Sequence, residues 1–305
     1  EFSTIQQLHE EQHYKLCHWK LTEKKINYRR FFTVNSLICL KMEDQWVFDK
    51  YHKYLNEFIR KGRFSGLRID HIDGLRDPDG YLKRLRVLTG EEMYIVIEKI
   101  LELEEDLPSD WRIQGTTGYE FLAYVNNLFT NTGNYPRLQD FYKEVAGIKD
   151  DIQDILYEKK KFILKNRMVG ELENLNRELF QSHLIPEIQM RETDPGRIQE
   201  AIAEFLLAFP VYRLYDTRTP LSKENADMVK NVMSEAISRN QDLEKELNIL
   251  LKLFTGQFGL DQGRNEKVSD FFMRCMQFTG PLMAKGMEDT TMYYYNCFAV
   301  HNEVG

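Results

Sequence analysis

The chain is 305 residues long, enough for a large buried core in one barrel or two domains. Its 42% hydrophobic and 29% charged content is that of a soluble globular protein, and a net charge of −7 speaks against nucleic acid as a partner. No window reaches the length of a membrane span, and four cysteines without CxxC spacing (Cys17, Cys39, Cys275, Cys297) read as reduced thiols of a cytoplasmic protein.

Ile5 to Trp19 has helical spacing, with His9, His13 and His18 placed i, i+4 and i+9. No HExxH pattern supports a metal there, so a helix face near the substrate entrance is the reading. Asn27 to Val34 is aromatic and basic, an irregular segment or short strand whose Arg29 and Arg30 have structural ion pairs as the plain alternative to a role at the site. Met42-Glu43-Asp44 caps a helix expected from Gln45 to Lys61, closed by Gly62.

The central stretch follows. From about Phe64 a strand alternates, Leu67 and Ile69 on one face, Arg68 and Asp70 on the other. Asp70, His71 and Asp73 stand at its exit, before the breakers Gly74, Pro78 and Gly80. Asp77 before Pro78 reads as a helix cap; an EF-hand fails because the twelfth position is Leu88. A helix over Tyr81–Val87 leads to Tyr94–Ile97, an apolar run expected to be a buried parallel strand, which ends in Glu98. Asp70 and Glu98 are 28 residues apart, one βαβ unit, so neighbouring parallel strands lift both carboxylates to one rim.

Leu101 to Pro108 is an acidic loop, Trp111 to Gln114 another candidate strand, and Gly115-Thr116-Thr117-Gly118 allows close backbone approach before a helix from Tyr119 to about Phe129. After a break at Asn131–Arg137 the pattern is helical to Gln277 with no strand: a run from Ile152 to Leu179, then Arg197–Phe209, Ser222–Arg239, Gln241–Phe254 and Asn265–Phe278. Phe209 to Tyr215 sits between helices. Lys285, Glu288, Asp289 and Thr290 cluster before Tyr293-Tyr294-Tyr295, of which at least one is core.

The expected fold is α/β, a partial (β/α)8 TIM barrel with a large all-helical insertion, predominantly helical overall. Residues 1–134 form the central part of the barrel, 135–265 the helical insertion, and 266–305 the truncated return to the barrel. Two carboxylates on one rim suit retaining glycoside chemistry: one attacks the anomeric carbon, the other protonates the leaving oxygen and then deprotonates the acceptor. Arg68 would hold Asp70 ionised, whereas Glu98 must first carry a proton. The alternative of a metal-dependent hydrolase on Asp70, His71 and Asp73 lacks a second His-rich cluster.

Gly66-Leu67-Arg68-Ile69-Asp70 resembles the nucleophile strand of the α-amylase superfamily (glycoside hydrolase family 13), with Glu98 at the acid/base position. Asn27-Tyr28-Arg29-Arg30-Phe31-Phe32, Gly66 to Gly80, Val96-Ile97-Glu98-Lys99-Ile100, Gly115 to Tyr119 and Met283-Ala284-Lys285-Gly286 more specifically resemble the maltooligosyltrehalose synthases, over about Leu8 to Gly305 and loosely between Tyr135 and Leu260. The resemblance implies an isomerase of trehalose biosynthesis. It converts the reducing-end α-1,4 bond of maltooligosaccharides to an α,α-1,1 bond without a cofactor, and a maltooligosyltrehalose trehalohydrolase uses the product. It assigns Asp70, Glu98 and Arg68 to catalysis and His71, Asp73, Lys99, Tyr119, Lys285, Glu288 and Asp289 to substrate binding, and it places the block Phe209–Tyr215 near the substrate.

Cys39, Lys41 and Tyr294 depart from the family pattern. The family's third acid follows a His in a His-Asp pair; here His301 is followed by Asn302, which leaves Glu288 or Asp289 as substitutes. The start without Met and the stop at Gly305 make this an expected central segment of a longer enzyme, with two of three acids. The rival functions are an α-amylase-type hydrolase of α-1,4-glucans and, from another class, a non-catalytic helical or sugar-binding fragment.

Overall fold

The computed structural model describes residues 2–12, 15–103 and 105–299. His13 of the histidine series and the stretch from His301 to Gly305 lie outside them. The described chain is mostly helical, with one antiparallel hairpin and one three-stranded parallel sheet.

The first helix, α1, spans Phe2–Glu10 and stops short of the expected Trp19. The hairpin joins β1, Arg30–Phe31, to β2, Val34–Ile38, around Phe32 at φ 49°. The helix expected over Gln45–Lys61 is two: α2, Gln45–Tyr51, and α3, Lys53–Arg60. His52 breaks it. Its ring is buried, with Nδ1 2.8 Å from the Phe48 carbonyl and Nε2 3.0 Å from the Tyr81 hydroxyl, so the core claims this residue from the helix surface.

Strand β3, Gly66–Ile69, pairs in parallel with β4, Tyr94–Ile97, and β4 with β5, Gly115–Thr116. Between the first two runs α4, Pro78–Thr89. Asp77 caps it, its carboxylate accepting from the Gly80 N–H at 2.8 Å, and Pro78 stands in the first turn where no N–H is needed. Tyr81, Leu82 and Leu85 face the sheet and pack with Phe48, Ile72, Ile95, Ile97 and Trp111. The reverse face of the sheet is open: Tyr94 is 55% exposed, so β4 is buried on one side and not on both as its apolar run suggests.

The expected strand Trp111–Gln114 moves on to Gly115–Thr116. Trp111 is buried against Tyr215, the Arg112 carbonyl is drawn to the buried Arg86 guanidinium, and the Gln114 side chain accepts the Ile95 N–H at 2.6 Å. Three side-chain demands displace the segment from the ladder until Gly115.

After α5, Tyr119–Asn127, and α6, Tyr135–Ala146, six helices form the main body: α7 Ile152–Arg167, α8 Val169–Gln181, α9 Pro195–Leu207, α10 Lys223–Arg239, α11 Glu244–Phe254 and α12 Gln262–Met283. Their apolar faces meet in one cluster around Leu179, Phe205, Leu250, Phe254 and Phe271. No strand occurs among the described residues from Tyr135 to Gln277, as the pattern implies. Helix α12 runs without interruption through the expected boundary at 265/266. Pro281, which has no N–H to donate, lies in its last turn, and a π-helix over Ala284–Thr291 follows. Gly286 of that π-helix touches α7: a Cβ there would lie 2.9 Å from the Lys160 Cα. Of the three tyrosines Tyr295 is the core one, edge-on to Tyr142. Among the described residues no helix is long and apolar enough to cross a membrane.

Candidate active site

Asp70 follows β3 and Glu98 follows β4, at the same end of two hydrogen-bonded parallel strands. Arg68 stands between them. Its Nη2 is 2.8 Å from Asp70 Oδ1 and 3.5 Å from Glu98 Oε1. Sharing one nitrogen keeps these two oxygens within about 6 Å of each other, a spacing compatible with two-carboxylate glycoside chemistry. The Asp70 side chain is 65% exposed and that of Glu98 26%.

Glu98 is held at both oxygens. The backbone N–H of His71 donates to Oε2 at 2.7 Å, and the Tyr119 hydroxyl reaches Oε1 at 3.4 Å. Burial, and then the Glu98 charge, raise the Tyr119 pKa and keep the phenol a donor. The His71 N–H reaches Glu98 from a left-handed backbone conformation, φ 51°, uncommon for a residue with a side chain. The ring packs against Phe31 and Phe32 at centroid distances of 5.1 and 4.6 Å. Gly74 makes room for it, since a Cβ there would lie 2.2 Å from the imidazole. Burial pulls the His71 pKa down to about 4, so the ring is neutral at neutral pH.

The π-helix brings the later polar cluster to the same region. Lys285 lies 5.1 Å from the Phe32 ring centroid and pairs with Asp289. Glu288 senses Glu98: burial first, then Asp289, Glu102 and Glu98, push its pKa up to about 7, so it holds a proton for much of the neutral range.

Two expected substrate contacts sit elsewhere. Lys99 is 1% exposed and Asp73 5%. Lys99 Nζ lies 3.3 Å from Asp73 and 2.7 Å from Glu105, beneath the turn that follows Asp70, so both residues hold the protein and neither faces the open side. Burial raises the Glu105 pKa in spite of its pairing with Lys99, so desolvation outweighs the charge pairing there. His71 and Tyr119 contact Glu98, Glu288 interacts with its charge, and Lys285 reaches this region only through Phe32; Asp289 is half exposed in its pair with Lys285.

Arg213 and Tyr215, from the block that the resemblance places near the substrate, and Gln277, which sequence reasoning missed, reach this turn from the helical body. One signal was present: Arg213 is a lone charge in the apolar block Phe209–Tyr215, and a charge is kept in such a place only when buried donors have partners. Beside Arg68 and Tyr119 opens a cleft of about 620 Å³, lined also by Tyr94, Val96 and the Thr116-Thr117-Gly118 turn. Among the described residues no group of three or more His, Cys, Asp or Glu side chains could hold a metal ion.

No family model matches the chain. A stretch of 170 residues, 56% of the chain, is 34% identical to a putative maltooligosyl trehalose synthase of Mycobacterium tuberculosis, of which it covers 22%. Among solved structures, maltooligosyltrehalose synthase from Arthrobacter ramosus matches with a TM-score of 0.80 at 32% identity, over 96% of this chain and 35% of that one. A hypothetical maltooligosyl trehalose synthase of Sulfolobus tokodaii matches with a TM-score of 0.73 at 31% identity, over 99% of this chain and 35% of that one. The resemblance carried by the motifs is thus borne out by sequence and by structure, and the chain spans 22% to 35% of the length of these relatives.

Proposed function

We propose that Asp70 and Glu98 are the nucleophile and acid/base of a retaining transglucosidase that moves the reducing-end α-1,4 bond of a maltooligosaccharide to an α,α-1,1 bond. The observation that supports this reading is the shared Arg68 Nη2, which brings both acids to one rim with their facing oxygens no more than about 6 Å apart. In the first step Asp70 attacks the anomeric carbon while Glu98 gives its proton to the leaving oxygen; a glycosyl ester forms on Asp70. The released glucose turns over, and Glu98 takes the proton from its C1 hydroxyl as that oxygen displaces Asp70. Arg68 pairs with Asp70 and aims it, and the His71 N–H and Tyr119 hydroxyl orient Glu98. Lys285, His71 and Glu288 would hold sugar hydroxyls, and Glu288, which interacts with the Glu98 charge, is the candidate for a third acid.

In this reading the three parallel strands are consecutive strands of a (β/α)8 barrel, residues 1–134 carry them, 135–265 are the inserted helices and 266–305 return to the barrel. The product would pass to a trehalohydrolase. A second reading, an α-1,4-glucan hydrolase, has one observation in its favour: Asp70 is open to solvent, and isomerisation requires water to be kept from the glycosyl ester. The test is to incubate the chain with maltopentaose and follow reducing ends and free glucose. Loss of reducing ends without glucose supports the isomerase; new reducing ends select the hydrolase; no change in either, with sugar binding intact, leaves neither standing.

A further inference from the structure

The turn from His71 to Arg76 joins the two acids: Asp70 immediately precedes it, and its first N–H holds Glu98. Four consecutive carbonyls of that turn, those of Asp73, Gly74, Leu75 and Arg76, each accept a donor from outside it. Arg213 supplies three, with Nη1 2.9 Å from Asp73 O and on Leu75 O, and Nη2 3.2 Å from Arg76 O. Gln277 of α12 donates to Gly74 O at 3.2 Å, joined by Arg29. The Tyr215 hydroxyl donates to the Asp73 carboxylate, whose other oxygen meets Lys99, the residue after Glu98.

Arg213 is 1% exposed, and its bonds among the described residues run to backbone carbonyls with no carboxylate in ion-pair contact. Burying a guanidinium this way costs more than an apolar side chain of the same size would. What it provides is geometry: a planar fork fixes several acceptors at once, which a flexible ammonium does not.

We infer that Arg213, seconded by Tyr215 and Gln277, is a positioning residue through which the helical body sets the turn after Asp70 and, with it, the placement of Asp70 against Glu98. The inference rests on the reading of those two acids as the working pair. The inserted helices are then a mould for the active-site turn. Displacing that turn by about 1 Å is enough to cost roughly 100-fold in rate.

The experiment compares wild type, Arg213→Lys and Tyr215→Phe by amide exchange and by turnover of maltopentaose. In Arg213→Lys the amides of His71, Gly74 and Leu75 exchange about 10–100-fold faster while those of α9 and α11 keep their protection. Its kcat falls about 100-fold with KM within about 2-fold, a split that general loosening of the fold would not give. Tyr215→Phe, which keeps the ring and removes one hydroxyl, shows the same pattern at about 10-fold, and it decides the matter where Arg213→Lys does not fold. Unchanged turn exchange in a folded variant overturns the inference, as does a loosened turn with kcat intact. If wild type leaves maltopentaose untouched, it is the transglucosidase reading that fails. The exchange arm then still decides, because unchanged turn amides refute the clamp and faster ones uphold it.

Discussion

The helical body and the strand unit are built to different standards. In the body, Leu179, Phe205, Leu250, Phe254 and Phe271 are fully buried in one continuous cluster. In the strand unit the core is a smaller cluster on one face of a three-stranded sheet, and α5 and α6 beyond it contain no buried residue. Phe121, Leu128 and Phe129 are 69%, 72% and 94% exposed. Stability therefore resides in the body, while the acids stand on the thin unit, and the carbonyl clamp around Arg213 is where one is referenced to the other. Chemistry and stability should separate under mutation.

The largest effect should appear on the chemistry alone. Asp70→Asn removes the attacking carboxylate, and activity toward maltopentaose should fall by at least about 10⁴-fold. Its ion pair with Arg68 is more than half exposed on both sides and is worth about 1 kcal/mol at most, so urea unfolding should barely move. A variant that loses activity together with several kcal/mol would show the acid site to be structural. Phe254→Ala tests the opposite pole. Phe254 lies within 5.0 to 6.1 Å, centroid to centroid, of Phe272, Phe205 and Phe271, and its removal should cost about 3–5 kcal/mol by urea denaturation.

How much of this was legible follows from the range of each interaction. Strand β4, the Asp77 cap and the helices of the body are set by neighbours within a few residues, and the pattern shows them. The acid pair is legible because one βαβ unit carries both members. The break at His52 depends on Tyr81, and the displacement of the third strand depends on Arg86 and Tyr215, so local periodicity carries no trace of either. Asp73 and Lys99 have the residue types of a binding site, but their partners Glu105 and Tyr215 enclose them. Arg213 acts across about 140 residues of sequence: the resemblance places its block near the substrate, and its isolation among apolar neighbours hints at a role, but neither names the turn it holds.

An acid titration sharpens the seam between the two regions. Burial holds His71 neutral down to about pH 4, whereas the unfolded chain takes up the proton below about pH 6.5. The charges around it act in both directions: Asp73 and Asp70 favour the imidazolium, Arg29 and Arg213 oppose it. The native state binds fewer protons between those values, so the His71 contribution is fully present above pH 6.5, is lost as pH falls, and levels off below pH 4. The whole loss, over the roughly 2.5 pH units between 6.5 and about 4, amounts to about 3 kcal/mol. His71→Asn, a residue that tolerates the left-handed backbone, should shed that share of the acid sensitivity in thermal unfolding at pH 7 and at pH 4.5. An identical pH dependence in the two proteins would mean that the ring is hydrated in the folded state.

The smallest effect is expected from the most conspicuous apolar side chain. Phe129 is 94% exposed, so Phe129→Ser returns almost no buried area to water and should change stability by no more than about 0.5 kcal/mol in urea. Solubility should rise, because Phe129 is one of four large apolar side chains, with Phe121, Tyr124 and Leu128, that this short stretch exposes. A loss of about 2 kcal/mol or more would mean that this surface is packed in solution, and the contrast between a self-sufficient body and a thinly held strand unit would fail at its weakest point.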